Sequence, residues 1–387
     1  MTDSRFTLMH GDHRVASISL AEDGSIGRIG EILDRTRMPL GTLLDDPLQR
    51  LNEWWGFRCI PAKRPNIDRF LKDHGISSRM ELMAYGMALN LSDHYWIRPE
   101  GDVICWDDVS FFSNGFNEDA GRLLLGQEGE LSASPDLSTD GVVPKIWTSD
   151  RRLLKGGTTR CRQQPYNEVL ASEVMRRLGI PHIPYELVED RGHVCSSCPC
   201  ICSEEVEMIQ ARCLMMTAPL DRNGSIRSHL LDRCGCHGID DIHPFLDMMI
   251  MVDHIMGNND RHYNNFSVLR DPETLEFSGF APIYDTGSSL GYDVPREEIN
   301  TRMVKGRTFK RRLDDQLLLL EDIEWLDISR LEGISDFARH LMEGSLTVSP
   351  ERVEAVVEML DARIRSLDSF LESRPPFRDD PSEDIEV

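Results

Sequence analysis

The stretch from His254 to Gly287 constrains the fold of this chain more than any other. It reads His254-Ile-Met-Gly-Asn-Asn-Asp260-Arg-His262-Tyr-Asn264-Asn265-Phe, then residues 266–270, the turn Asp271-Pro272-Glu-Thr, residues 275–280, and Ala281-Pro-Ile-Tyr284-Asp285-Thr-Gly287. The runs 266–270 and 275–283 have strand character and flank an Asp-Pro turn, which predicts a β-hairpin. A hairpin returns on itself, so Asn265 before its first strand and Asp285 after its second are expected to meet at one edge. Asp260 and Asn265 have D-x-x-x-x-N spacing, in which the Asp takes a hydroxyl proton and the Asn holds magnesium during phosphoryl transfer. Asp285 then stands where a second metal ligand is needed. Two oxygen ligands suffice, because magnesium keeps its remaining positions for water and phosphate. Asn-Asn-Asp and Asp-Thr-Gly are otherwise ordinary turn residues. Their arrangement about a hairpin is what points to chemistry.

The upstream segments supply matching parts. Residues 243–256 are apolar nearly all round, which predicts a buried helix delivering the Asp260 loop. Residues 126–140 turn polar and predict a mobile loop. Ser138-Thr139-Asp-Gly141-Val-Val-Pro-Lys145 leads into a strand through Trp147, a turn at 149–150, and a strand over 151–155 ending in Lys155-Gly-Gly. A Ser/Gly loop ahead of a hairpin that ends in lysine can cradle nucleotide phosphates through backbone N–H groups and an ammonium group. It is not a Walker A motif. Gln164-Pro165-Tyr-Asn-Glu168 then opens a helix whose apolar residues recur through Leu178, with Gly179 as its stop. Glu168 in the first turn can face Lys155, as a kinase helix glutamate faces the nucleotide lysine. A glutamate there also suits the helix dipole.

Charge and cysteine usage narrow the function classes. Among 387 residues, 43 Lys and Arg against 66 Asp and Glu leave a net charge of −23, which disfavours nucleic acid and anionic membrane as direct partners. With no apolar run near membrane-span length and a polar start, the chain is expected to be soluble and cytoplasmic. Seven of its ten cysteines fall between Cys195 and Cys236. Cys195-x-x-Cys198 and Cys234-x-Cys236-His237 have zinc-ligand types, although alternation along one strand would point neighbouring cysteines to opposite faces. Residues 5–40 predict a β-meander, and helical pieces are expected from there to Trp96. Residues 184–188 and 193–201 predict another hairpin, with a hinge at 200–205. Residues 286–312 have the polar, Gly-rich, terminally basic character of an activation segment, with Lys305, Arg307, Lys310, Arg311 and Arg312 available to an acidic group. A mostly helical stretch and a Pro-rich acidic tail, expected to be disordered, complete the chain.

With these residues in place, the chain resembles the HipA-like protein kinases, the family of a bacterial persistence toxin. Asn259-Asp260-Arg-His262-Tyr-Asn264-Asn265-Phe and Ala281-Pro-Ile-Tyr284-Asp285 carry the resemblance, together with Lys155-Gly-Gly and Pro165-Tyr-Asn-Glu168-Val-Leu-Ala. Ser138-Thr-Asp-Gly141-Val-Val-Pro-Lys145 is similar to the family's Ser-x-x-Gly-x-Gln-x-Lys phosphate loop, with Val143 at the glutamine position. Leu8-Met-His10, Asn52-Glu-Trp-Trp55, Ile60-Pro61 and Leu91-Ser-Asp-His-Tyr-Trp96 resemble a stand-alone branch of it. The resemblance implies an α+β, two-lobed protein-kinase-like fold: an N-terminal β-rich subdomain (1–130), an N-lobe (131–204), a mostly helical C-lobe (205–372) and the tail (373–387). It implies a serine/threonine kinase using ATP and Mg2+, with Asp260 as base, His262 beside it in the catalytic loop, and Asn265 and Asp285 on the metal. Lys155, Glu168, Ser138, Thr139, Gly141 and Lys145 would form the nucleotide site. Its partners would be a protein substrate and an antitoxin-like regulator, with Ser138 as the autophosphorylated, inactivating position. A small-molecule kinase of the aminoglycoside type, and a pseudokinase or zinc-stabilised binding module, are the competing expectations.

Overall fold

The computed structural model describes residues 4–240, 242–300, 302–373 and 375–385. Its fold is mixed α and β, with a β-rich N-terminal part and a helical C-terminal part. Strands β1 (Ser4–His10), β2 (His13–Leu20), β3 (Ile26–Ile32) and β4 (Tyr95–Pro99) form an antiparallel sheet in the order β3-β2-β1-β4. The meander supplies three of these strands. Tyr95 and Trp96, expected at the end of helical pieces, instead begin the fourth, and the Trp96 indole donates to the Gly11 carbonyl at 2.8 Å. The helix Pro47–Phe57 covers this sheet with Leu51, Trp54 and Trp55, started by an Asp46 carboxylate that accepts from the Gln49 N–H.

A second antiparallel sheet holds β5 (Lys145–Trp147), β6 (Arg152–Lys155), β7 (Glu186–Asp190) and β8 (His193–Pro199) in the order β5-β6-β8-β7. The helix Gln164–Leu178 follows β6, with proline in its first turn and Gly179 in the left-handed region at its end. The third sheet contains the expected hairpin. Strands β10 (Ser267–Arg270) and β11 (Phe277–Phe280) pair, and the unforeseen β9 (Glu207–Gln210) joins β10 on its other side. The second strand is shorter than the 275–283 expected, because the register breaks between Leu269 and Arg270 and Leu275 takes a positive φ.

The helices Gln164–Leu178, Ile242–Met256, Ile334–Met342 and Pro350–Ser373 share one apolar core, including Leu170, Met249, Ile250, Val356 and Leu360. The helix Ile242–Met256, which precedes the Asp260 loop, is therefore held from several sides. A buried polar knot ties the N-terminal sheet to the third one. Glu207 of β9 meets the His10 imidazole at 3.1 Å and the Arg270 guanidinium at 2.6 Å, while Arg270 reaches the Tyr95 hydroxyl at 3.3 Å. Burial opposes the Glu207 charge, but the His10 hydrogen bond and the Arg270 charge outweigh it and hold this carboxyl down at about 2.

The acidic tail departs from the disorder its composition predicts. Lys310, 1 % exposed, donates to the Asp379 carboxylate at 2.8 Å, the Asp384 carboxylate at 2.6 Å and the Asp380 carbonyl at 2.8 Å. Backbone hydrogen bonds from Arg311 to Glu383 and from Ile385 to Phe309 lay residues 383–385 along 309–311. A tail that looks too charged to fold finds a buried cation for two of its carboxylates. No helix among the described residues is long and apolar enough to cross a membrane.

Candidate active site

The cleft that gathers most of the predicted residues is lined by Ser138, Thr139, Asp140 and Gly141, by Lys145 at the start of β5, by Lys155 from β6, and by Asn264, Asn265 and Asp285 from the ends of the third sheet, while Glu168, Asp260 and His262 lie outside its lining. At its centre the Lys155 ammonium pairs with both the Glu168 and Asp285 carboxylates. The predicted lysine–glutamate pair forms, although Glu168 falls just past the first turn in which it was expected: Gln164–Leu178 packs Tyr166 and Leu170 inward, which leaves Glu168, its fifth residue, facing β6. The other Glu168 oxygen accepts the Thr286 N–H at 2.9 Å, so the glutamate positions both the lysine and the backbone after Asp285. The Tyr185 ring lies 5.5 Å from the Lys155 ammonium.

The charges divide unevenly. Burial disfavours the Asp285 anion, yet Lys155 and Lys145 more than offset it and hold this carboxyl far below its ordinary range. Burial dominates at Glu168 and pushes that carboxyl up despite Lys155. The firm anion of the trio is thus Asp285, the group expected to meet a metal. Its backbone sits at φ +57, the left-handed region that a non-glycine residue seldom occupies.

Asp260 lies in the loop that follows the helix Ile242–Met256, close enough to Asp285 for the two charges to interact. Burial raises the Asp260 carboxyl above the ordinary carboxylate value, and Asp285 adds to the rise, against the opposing charges of His262 and Arg307. Arg307 stands 3.9 Å from its Oδ1. The Asn265 side-chain amide donates to the Asp260 carbonyl at 2.9 Å, which leaves the Asn265 Oδ1 available as a ligand. His262 is half-buried and braces the loop: its N–H donates to the Asp260 carbonyl at 2.9 Å, and its ring Nδ1 accepts from the Asn264 N–H at 3.3 Å.

The end of the polar stretch 126–140 is more ordered than the mobile loop expected there. Ser138 closes a short 3-10 turn, Pro135–Ser138, and its buried hydroxyl donates to the Leu89 carbonyl at 2.5 Å. The Thr139 hydroxyl donates to the Pro135 carbonyl at 2.7 Å. Gly141 takes φ +94, and a Cβ there would collide with the Lys145 ammonium, so glycine is required. Lys145 donates to the Asp140 carbonyl at 2.8 Å, and burial lowers its ammonium to about 8.

Two arginines escaped the sequence reading. Arg64 reaches over from the N-terminal part and donates to the carbonyls of Asp140 and Gly141 at 2.9 and 2.6 Å, and to that of Thr139, fixing the loop from behind. Arg261, next to Asp260 and 1 % exposed, spans the Asp253 carboxylate, the carbonyls of Asn265 and Tyr284, and the Thr286 hydroxyl. Its place inside the Asn-Asn-Asp-Arg-His run was the one signal available. Arg64 gave none.

The zinc expectation and part of the basic cluster fail for stated reasons. Cys234 packs in the apolar core and Cys236 is exposed, while Cys198 is buried among Ile183 and Tyr185. Among the described residues no three His, Cys, Asp or Glu side chains gather in a form that would hold a metal ion. Of the basic residues 305–312, Lys310 is buried against the tail carboxylates and does not face a substrate, while Arg311 donates to the Asp384 carbonyl at 2.9 Å and stays exposed. Arg307 and Lys305 remain exposed.

No protein-family model matches the chain, and no curated protein does. Among solved structures, HipA of the Shewanella oneidensis MR-1 toxin–antitoxin system, determined with HipB and its operator DNA, aligns with a TM-score of 0.56 at 14% identity, covering 99% of this chain and 100% of that one. The Helicobacter pylori proinflammatory kinase CtkA aligns with a TM-score of 0.46 at 18% identity, over 61% of this chain and 91% of that one.

Proposed function

From a fold shared with HipA along its whole length, we propose that this chain is a serine/threonine protein kinase that uses ATP and Mg2+. The observation that carries the proposal is the Lys155 ammonium between Glu168 and Asp285, in the cleft that also holds Asn265 and the phosphate loop. The donor set fits the cofactor. An ionised Asp285 and the Asn265 Oδ1 are hard oxygen ligands suited to magnesium, and Lys145 with Lys155 supplies cations for phosphate oxygens. Bound Mg-ATP would supply the phosphoryl group and neutralise its charge. The chain's own residues do the rest. Asp260 takes the proton from an acceptor hydroxyl, Asn265 and Arg261 fix the loop that carries it, and Arg307 stands on the acceptor side.

Asp285→Ala is expected to weaken Mg-ATP binding by tenfold or more in titration calorimetry, because it removes one of two protein ligands to the metal. Unchanged affinity would make Asp285 a turn residue. Wild-type assays with generic protein and aminoglycoside acceptors separate a protein kinase from a small-molecule kinase.

Ser138 is proposed as the autophosphorylated position. Its hydroxyl is buried on the Leu89 carbonyl, and a phosphate brings close to two negative charges that cannot stay beside a carbonyl oxygen. Modification would therefore expel residues 138–141 from their seat and dismantle the phosphate site. Mass spectrometry after incubation with Mg-ATP should find the phosphate on Ser138, and Ser138→Asp should bind ATP poorly. Phosphate confined to 286–308 would move the regulation to that segment.

A further inference from the structure

In a chain with a net charge of −23, four arginines border a single groove of about 880 Å3 on the N-terminal sheet. None of the residues lining it lines the cleft. The strand register explains the cluster. Arg5 of β1 and Arg28 of β3 stand on either side of Ser19 of β2, and in the next row Thr7 of β1 lies between Arg98 of β4 and Ser17 of β2. Residues two apart on a strand share a face, so both rows open on the same side. Gly30 of β3 completes the floor, where any Cβ would crowd the Ser17 hydroxyl to 2.5 Å.

The groove's polar groups are incompletely matched. Arg5 meets Glu100 at 3.6 Å, an exposed pair, and Arg98 donates to the Ile104 carbonyl at 3.1 Å. Neither Arg14 nor Arg28 has an ion-pair partner among the described residues. At the floor the Ser19 hydroxyl is buried and has no hydrogen-bond partner, an unusual condition for a buried polar atom. An anion above it would accept from Ser19 and from the guanidinium forks of Arg5 and Arg28 together.

We propose that this groove binds a ligand carrying two phosphoryl groups. A phosphoryl group offers nearly two charges and three acceptor oxygens in one position, enough to occupy two guanidinium groups and a hydroxyl, where a carboxylate offers one charge and two oxygens. The row Arg5–Ser19–Arg28 makes one seat and Thr7 with Arg98 the other. Diagonal neighbours on adjacent strands are roughly 7–8 Å apart, which sets the spacing of the two groups. Free polyphosphate and a peptide phosphorylated at alternate residues both present that chemistry.

Titration calorimetry near physiological salt, with inorganic tripolyphosphate and with an extended peptide bearing two phosphoserines at alternate positions, tests the site and identifies the source. At least one probe should bind the wild-type protein, and the double variant Arg5→Gln/Arg28→Gln should lose tenfold or more in affinity for it. For tripolyphosphate, which can also enter the cleft, the variant should lose one site of two. Ser19→Ala should weaken binding about threefold, with a melting temperature no lower than wild type. The proposal is overturned if neither probe binds at millimolar concentration, if a folded arginine variant binds as the wild type does, or if a peptide with glutamates at both positions binds equally well.

Discussion

Asp260→Asn is expected to reduce phosphoryl transfer about a thousandfold, within the 10²–10⁴ that general base catalysis typically contributes, while the fold and the affinity for Mg-ATP stay close to wild type. The loop's geometry is built on the backbone of this residue. The Asp260 N–H donates to the Asn258 side chain at 3.1 Å, its carbonyl accepts from Asn265 at 2.9 Å, and Arg307 approaches its carboxylate at 3.9 Å. Asparagine has the same shape and keeps every backbone bond, so it removes the proton-accepting carboxylate and its charge, which faces Arg307, without disturbing the loop. Asp285 is the contrast, since its carboxylate is itself bonded to Lys155. The raised Asp260 carboxyl also gives a pH signature: the acid limb of the wild-type rate should lie above the ordinary carboxylate range, because the base must be ionised to act. Single-turnover transfer, calorimetry with Mg-ATP and a thermal melt make the comparison. A variant that phosphorylates itself at the wild-type rate would remove Asp260 from the role of base.

What the sequence made legible was what neighbouring residues decide. The hairpin about Asp271-Pro272, the helix capped by Pro165 and Gly179, and the buried helix before Asp260 follow from turn chemistry and apolar period, and each forms. The Lys155–Glu168 pair was legible too, because only one loop and the start of one helix separate its members. What stayed hidden depends on residues distant in the chain. Arg64 bonds carbonyls some 75 positions away, and β9 lies far from the β10 it pairs with. Nothing local in either segment states that need. The tail misled for a related reason: disorder was inferred from net charge, and the compensating charge is Lys310, which local reading had placed among cations available to substrate.

Arg261→Met is expected to cost about 3–5 kcal/mol of unfolding free energy, the range for breaking a buried ion pair from one side. The guanidinium lies within 3.0–3.2 Å of the Asp253 carboxylate, and both side chains are about 1 % exposed. Methionine matches the stem but leaves Asp253 charged and buried, with Asn258, at 2.8 Å, its remaining side-chain donor. The same substitution frees the carbonyls of Asn265 and Tyr284 and the Thr286 hydroxyl, the points through which Arg261 joins the catalytic loop to the segment carrying Asp285. Stability and catalysis therefore separate in the double variant Asp253→Leu/Arg261→Met. Apolar replacement of a whole buried pair is often close to neutral, so urea denaturation should recover most of the lost stability. Phosphoryl transfer should stay low, because nothing replaces the hydrogen bonds that register Asn265 against Asp285. Transfer returning together with stability would reduce Arg261 to a core residue, and a single variant costing less than about 1 kcal/mol would place the pair in a more solvated setting than its burial implies.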